Sequence, residues 1–104
     1  MIFVETMIPV NYNDGTKIPQ TIIDNCLFAI AQEFGGYTLS SIGEGFWVGP
    51  GGRNFVEPMR RLSVACDVSA VNIIKNMVRG IGIELKQHEM YFIVHTPSIE
   101  LLKV

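Results

Sequence analysis

The chain has 104 residues, of which 48% are hydrophobic and only 17% charged, with a formal net charge of −2. An average soluble domain carries about 25% charged residues, so this composition excludes a disordered chain, which lacks the apolar surface to offset folding entropy. No apolar run approaches the ~20 residues that hydrocarbon requires. No Lys/Arg stripe offers the phosphate contacts that duplex nucleic acid needs.

The length predicts one domain over residues 1–104. Charge is uneven along it. Residues 1–52 hold Lys17 against Glu5, Asp14, Asp24, Glu33 and Glu44, whereas residues 53–104 carry a net +2 with a local cluster at Arg53, Arg60 and Arg61. Cys26 and Cys66 each sit in an apolar pattern, which reads as two buried, reduced thiols. Met1 to Glu5 lacks the basic region and cleavage site of a signal peptide. The expected compartment is therefore cytoplasm, of a bacterium or of an infected host cell.

Residues 2–10 are β-branched and apolar and read as a strand. Asn11 to Lys17 is a loop turning at Asp14-Gly15. Pro19 suits a helix start. Ile23, Leu27, Ile30 and Phe34 then follow helical spacing, and Gly35-Gly36 ends the run. Tyr37 to Ile42 and Phe46 to Val48 read as strand, interrupted by Gly43-Glu44-Gly45. Gly49-Pro50-Gly51-Gly52 is a turn into a long strand over residues 55–68, which completes a hairpin. Ser69 suits an N-cap. Val71, Ile74, Met77, Val78, Ile81 and Leu85 predict one helix over about 70–86, with a stop at Gly80 as the competing reading. Glu89 to His95 is the last strand. Pro97 to Val104 is either a tail or a further edge strand, and Ile99, Leu101 and Leu102 favour packing.

The order β-α-β-β-α-β is the split-βαβ, ferredoxin-like pattern. It predicts an α+β fold with a four-stranded antiparallel sheet and two helices on one face. The first and last strands are apolar on both sides, so the second sheet face needs cover. A homodimer or higher assembly through the sheet is expected.

Several short motifs carry a resemblance: Pro19, Phe34-Gly35-Gly36-Tyr37-Thr38, Gly45-Phe46-Trp47, Glu57, and Gln87, Glu89 and Tyr91 at two-residue spacing. In these, residues 18–94 resemble a loose group of small ferredoxin-like proteins found on phages, plasmids and bacterial chromosomes. The resemblance implies the same fold and no particular activity. Its phage-borne members make a ligand-sequestering, counter-defence role one implied version.

Four constellations could carry chemistry. The glycines of Gly43 to Gly52 lie inside a hairpin, which reads as a bulge and a turn; a phosphate loop would lead into a helix. Trp47, with Tyr37, offers a ring for stacking. Arg53, Arg60 and Arg61 offer guanidinium forks for an anion, although Arg60 and Arg61 point to opposite faces unless Pro58 bulges the strand. In the last strand Glu89, Tyr91 and His95 share one face and suit acid–base work, with Glu57 as a second carboxylate. No metal-ligand spacing occurs, and no cofactor is expected.

The reading these residues favour is non-enzymatic binding of a small anionic, nucleotide-like ligand at or near a homo-oligomer interface. Trp47 or Tyr37 would stack on its base, Arg53 and Arg61 would hold its charge, Glu57 or Glu89 would accept from its hydroxyls, and Tyr91 is a further ligand-binding candidate. The alternatives are an oligomeric protein-interaction module with no small ligand, and a small acid–base enzyme using Glu89, Tyr91 and His95.

Overall fold

Alternation along the first strand decides where the core lies. In β1 (Ile2–Pro9) residues Ile2, Val4, Thr6 and Ile8 are buried, while Phe3, Glu5 and Met7 are more exposed. The computed structural model describes residues 1–97 and 99–104, with all their side chains except those of Trp47 and Pro50. After β1 come α1 (Gln20–Phe34), β2 (Thr38–Leu39), β3 (Gly43–Val48), β4 (Asn54–Cys66), α2 (Val71–Glu84) and β5 (Ile93–His95). The strands form one antiparallel sheet of five, in which β4 pairs β1 on one side and both β2 and β3 on the other, while β5 flanks β1. The α+β, ferredoxin-like expectation holds. The four expected strands become five because the first half of the hairpin is split.

The split is a bulge, and it lies one step before the glycines. Leu39 faces Leu62 and Gly43 faces Met59, so Ser40, Ser41 and Ile42 stand opposite only Arg60 and Arg61. The extra residue breaks the ladder, and the Ser40 hydroxyl mends it by accepting the Arg61 amide at 2.8 Å. Gly43 and Gly45 pair regularly in β3. Beyond the bulge, Phe46 falls in register with Val56 and Trp47 with Phe55.

Both helices close over one face of the sheet. Ile23, Leu27 and Ile30 of α1 and Ile74, Val78 and Ile81 of α2 join Val4, Ile8, Leu62, Val64 and Leu85 in one buried cluster. Gly35 ends α1 in the left-handed conformation at φ 82, its amide donating to Ala31. α2 runs unbroken through Gly80, as its apolar spacing requires. The cap before it is Asp67, not Ser69. The Asp67 carboxylate accepts the Ser69 amide at 2.9 Å, opening a 3₁₀ turn over Val68–Ala70, and this bond holds its pKa below the usual carboxylate value. Cys26 and Cys66 are free thiols, both pushed up in pKa chiefly by burial.

The opposite sheet face carries Phe3, Glu5, Arg61, Ala65 and His95, and remains largely exposed in the single chain. Leu101 and Leu102, expected to pack, are 80% and 74% exposed, in a segment that forms no strand among the described residues.

The two glycines of α2 differ in role. A Cβ on Gly80 would meet nothing within 4 Å, whereas one on Gly82 would stand 2.8 Å from Met90 Cγ. Gly80→Ala is expected to raise stability by about 1 kcal/mol through helix propensity. Gly82→Ala forfeits that gain, because Met90 must leave its seat. Urea unfolding of the two variants checks the contrast.

Candidate functional site

A step in the sheet makes the site. β1 ends at Pro9, opposite Met59, with one further bond from the Val10 amide to the Pro58 carbonyl, while β4 continues outward through Glu57 and Phe55 past the end of β1. Strand alternation puts Phe55, Glu57 and Met59 on the face opposite the helices, together with Met7 and Pro9. The segment 87–91 crosses the gap. It leaves a cavity of about 620 Å³ lined by Met7, Pro9, Asn13, Phe55, Glu57, Met59 and residues 87–91.

Local contacts fix that crossing segment at both ends. α2 stops in a double-bonded C-terminal turn: the Gln87 amide donates to Gly82 and the Lys86 amide to Ile83. This puts Lys86 at φ 54, where glycine is usual. Lys86 is held from the 11–17 loop, its ammonium 5.3 Å from the Tyr12 ring centroid and its carbonyl accepting from Asn13. At the far end Thr6, the one polar residue buried in the core among the described residues, donates its hydroxyl to the Tyr91 carbonyl. A side chain rather than a backbone amide takes that carbonyl, so the ladder with β1 starts only at Ile93. The last strand is accordingly Ile93–His95, shorter than the 89–95 expected.

The sequence candidates separate. Glu57, Glu89 and Tyr91 line the same cavity. Arg53 reaches it only by way of Phe55, its guanidinium 5.2 Å from that ring centroid. Phe55 in turn lies against Gly49, where a Cβ would stand 2.5 Å from a ring carbon. Arg61 shares the cavity-side face but lies beyond its lining, exposed, in register with Met7. Arg60 projects to the other face in register with Ile8, its Nε buried with no hydrogen-bond partner among the described residues. β4 keeps its register past Pro58, so no bulge there brings the two arginines together. Tyr37 precedes β2 at the far sheet edge and is not part of the lining. The Trp47 side chain lies outside the described residues. His95 is not with Glu89 and Tyr91. Its Nε2 is 3.6 Å from Glu5 on the open sheet face.

Lining residues that were not sequence candidates are Met7, Pro9, Asn13, Phe55, Met59, Gln87, His88 and Met90. Period-two alternation could have placed Met59 beside Glu57, but not the crossing segment above them. The lining holds two carboxylates and no Lys or Arg. Among the described residues no group of three His, Cys, Asp or Glu could hold a metal ion, and no helix is long and apolar enough to cross a membrane.

No family model matches the chain, and no curated protein matches it in sequence. Solved structures match its fold. A phage SAM lyase in complex with S-methyl-5'-thioadenosine superposes with a TM-score of 0.70 at 10% identity, over 90% of this chain and 79% of that one. CutA1 from Pyrococcus horikoshii gives 0.65 at 11% identity, over 96% and 87%. CutA from Synechococcus elongatus gives 0.63 at 9% identity, over 92% and 75%. At such identities the likeness defines the class: this is a ferredoxin-like α+β protein, and a phage protein is among those that share the fold.

Thr6→Val tests what fixes the crossing segment. Removing the hydroxyl is expected to cost about 1 kcal/mol and to speed amide exchange from Met90 to Ile93. Hydrogen exchange at those amides reads the result, and unchanged rates there would refute the tether.

Proposed function

We propose that the protein binds a nucleoside-type small molecule in the cavity under residues 87–91, and that it does so as a homo-oligomer. The observation that carries the first part is the company of Glu57 and Glu89 with Phe55, Tyr91, Met7, Met59 and Met90 in one cavity. Carboxylates accept from ribose hydroxyls and from an exocyclic amine. Tyr91 offers a ring face to a base, and methionines suit a thioether or alkyl substituent. A volume near 620 Å³ falls within the ~300–1,000 Å³ of small-molecule sites.

The lining also revises the ligand. Arginines at positions 53 and 61 suggested an anionic nucleotide, but both stand outside a cavity whose own charges are negative. Burying a phosphate against two carboxylates is unfavourable, so the reading moves to an uncharged or cationic nucleoside. Arg53 and Arg61 remain flanking candidates. Trp47 is retained only by its place in the ladder opposite Phe55. S-methyl-5'-thioadenosine, which the phage SAM lyase of like fold binds, is the compound to try first. Sequestration of such a compound is one version of the role.

Titration calorimetry with S-methyl-5'-thioadenosine is expected to give saturable binding, not displaced by ATP. Glu57→Gln and Glu89→Gln should each weaken it by about tenfold, the loss of one charge-assisted hydrogen bond. No binding, or unchanged affinity in both variants, overturns this site. A second reading, turnover of the bound ligand, is favoured by the collection of Glu57, His88, Glu89 and Tyr91 around one space. Mass analysis of ligand recovered after incubation separates the two. A binder returns it intact and an enzyme does not.

The oligomer rests on the hairpin. Phe46, Val48 and Val56 share one of its sides and are 62%, 62% and 55% exposed. A contiguous apolar strip of this kind marks an interaction surface. It equally suits the protein-interaction reading. Native mass spectrometry is expected to show more than one chain, and Phe46→Asp with Val56→Asp to shift the mass to one. A wild-type monomer would refute self-association.

A further inference from the structure

The segment 87–92 has a second side. There it faces α2 across a groove of about 580 Å³, lined by Lys75, Val78, Arg79, Gly82 and Ile83 of the helix and by Met90, Phe92 and residues 87–89. We propose that this groove is a separate binding site for a small organic anion with a flat apolar body, such as an aryl carboxylate or sulfonate.

The helix residues recur at the three- and four-residue spacing of a single helical stripe. That stripe mixes two cations with apolar wall. Lys75 and Arg79 are one turn apart, where like charges repel. Among the described residues neither forms an ion pair, and the one pair found there joins His95 and Glu5. Lys75 Nζ is instead held 5.5 Å from the Phe92 ring centroid, and one guanidinium edge of Arg79 donates to Asn76 Oδ1 at 2.9 Å. Both cations are thus positioned by neutral groups, with charge left to offer an incoming anion.

The apolar part is equally prepared. Ile83 is 77% exposed at the groove. Gly82 has no side chain where Met90 crosses, and the resulting close approach forms the floor. Phe92 supplies a ring face. Glu89 also lines the groove, which directs the anion toward the Lys75 and Arg79 end. The two cavities flanking the crossing segment are therefore opposite in sign. One holds Glu57 and Glu89 without Lys or Arg, the other adds Lys75 and Arg79. The second site does not depend on the nucleoside reading of the first.

Fluorescence titration of the full chain with anilinonaphthalenesulfonate tests the proposal, with phenylnaphthylamine as its counterpart lacking the sulfonate. The wild type should bind the sulfonate saturably and more tightly than the amine. Lys75→Glu with Arg79→Glu should weaken the sulfonate at least about tenfold, as expected for losing charged contacts, with the far-UV circular dichroism unchanged. Ile83→Asp should weaken both probes. Glu57→Gln should alter neither. Equal affinity for the two probes, sulfonate binding indifferent to the charge reversal, or loss of sulfonate binding in Glu57→Gln would each overturn the proposal. The last outcome would place the dye in the other cavity.

Discussion

The structure depends on one mismatch of lengths. β4 has 13 residues and β1 has 8, and their register pairs the end of β4 with β1, the Val10 amide adds one last bond to the Pro58 carbonyl, and β4 runs on past the end of β1. A strand edge that outruns its partner in this way must be covered or solvated. Here the segment after α2 lies across the gap. The hairpin that projects past the helices and the cavity at its base are both consequences of that register.

The crossing segment explains why two cavities occur so close together. It is not a strand, because Thr6 takes its last carbonyl. It is not helix, because Lys86 turns the chain through a left-handed residue. Suspended between these two points, it presents one side to the acidic pocket and the other to the basic stripe of α2. Its side chains are shared between them: Gln87, His88, Glu89 and Met90 border both. A left-handed lysine costs on the order of 1–3 kcal/mol, here retained where the geometry of both linings is decided.

Much of the fold was legible because its signals are local. Helical spacing from Ile23 to Phe34 and from Val71 to Leu85 placed both helices, including the passage through Gly80. Alternation placed Leu62, Val64 and Cys66 on one side of β4. What escaped were features set by pairing between distant segments. The bulge belongs to Ser40–Ile42 rather than to Gly43-Glu44-Gly45 because only the register with β4 counts the extra residue. The glycines, permissive as they are, were a misleading cue. Of the candidate site, Glu57, Glu89 and Tyr91 were found by residue type and converge in the structure. Tyr37 and His95 lie elsewhere: Tyr37 precedes β2, on the other side of the bulge from Glu57, and His95 pairs with Phe3, whereas the cavity begins further along β1 at Met7. The sign of the cavity could not be read at all, since Arg53 and Arg61 are near Glu57 in sequence yet outside its pocket.

The bulge has a bearing on how such a chain can change length. Every residue from Gly43 to Val48 takes its side of the sheet from the one supernumerary residue before it. Removing one residue between Ser40 and Ile42 would exchange the two sides of the strand, sending Phe46 and Val48 to the cavity side and the Trp47 position to the other. Shortening the tip around Gly51 by two residues, one from each strand end, would leave every remaining side chain where it is. The hairpin is therefore free to grow and shrink at its tip in paired steps. At its root a single codon governs the identity of both surfaces.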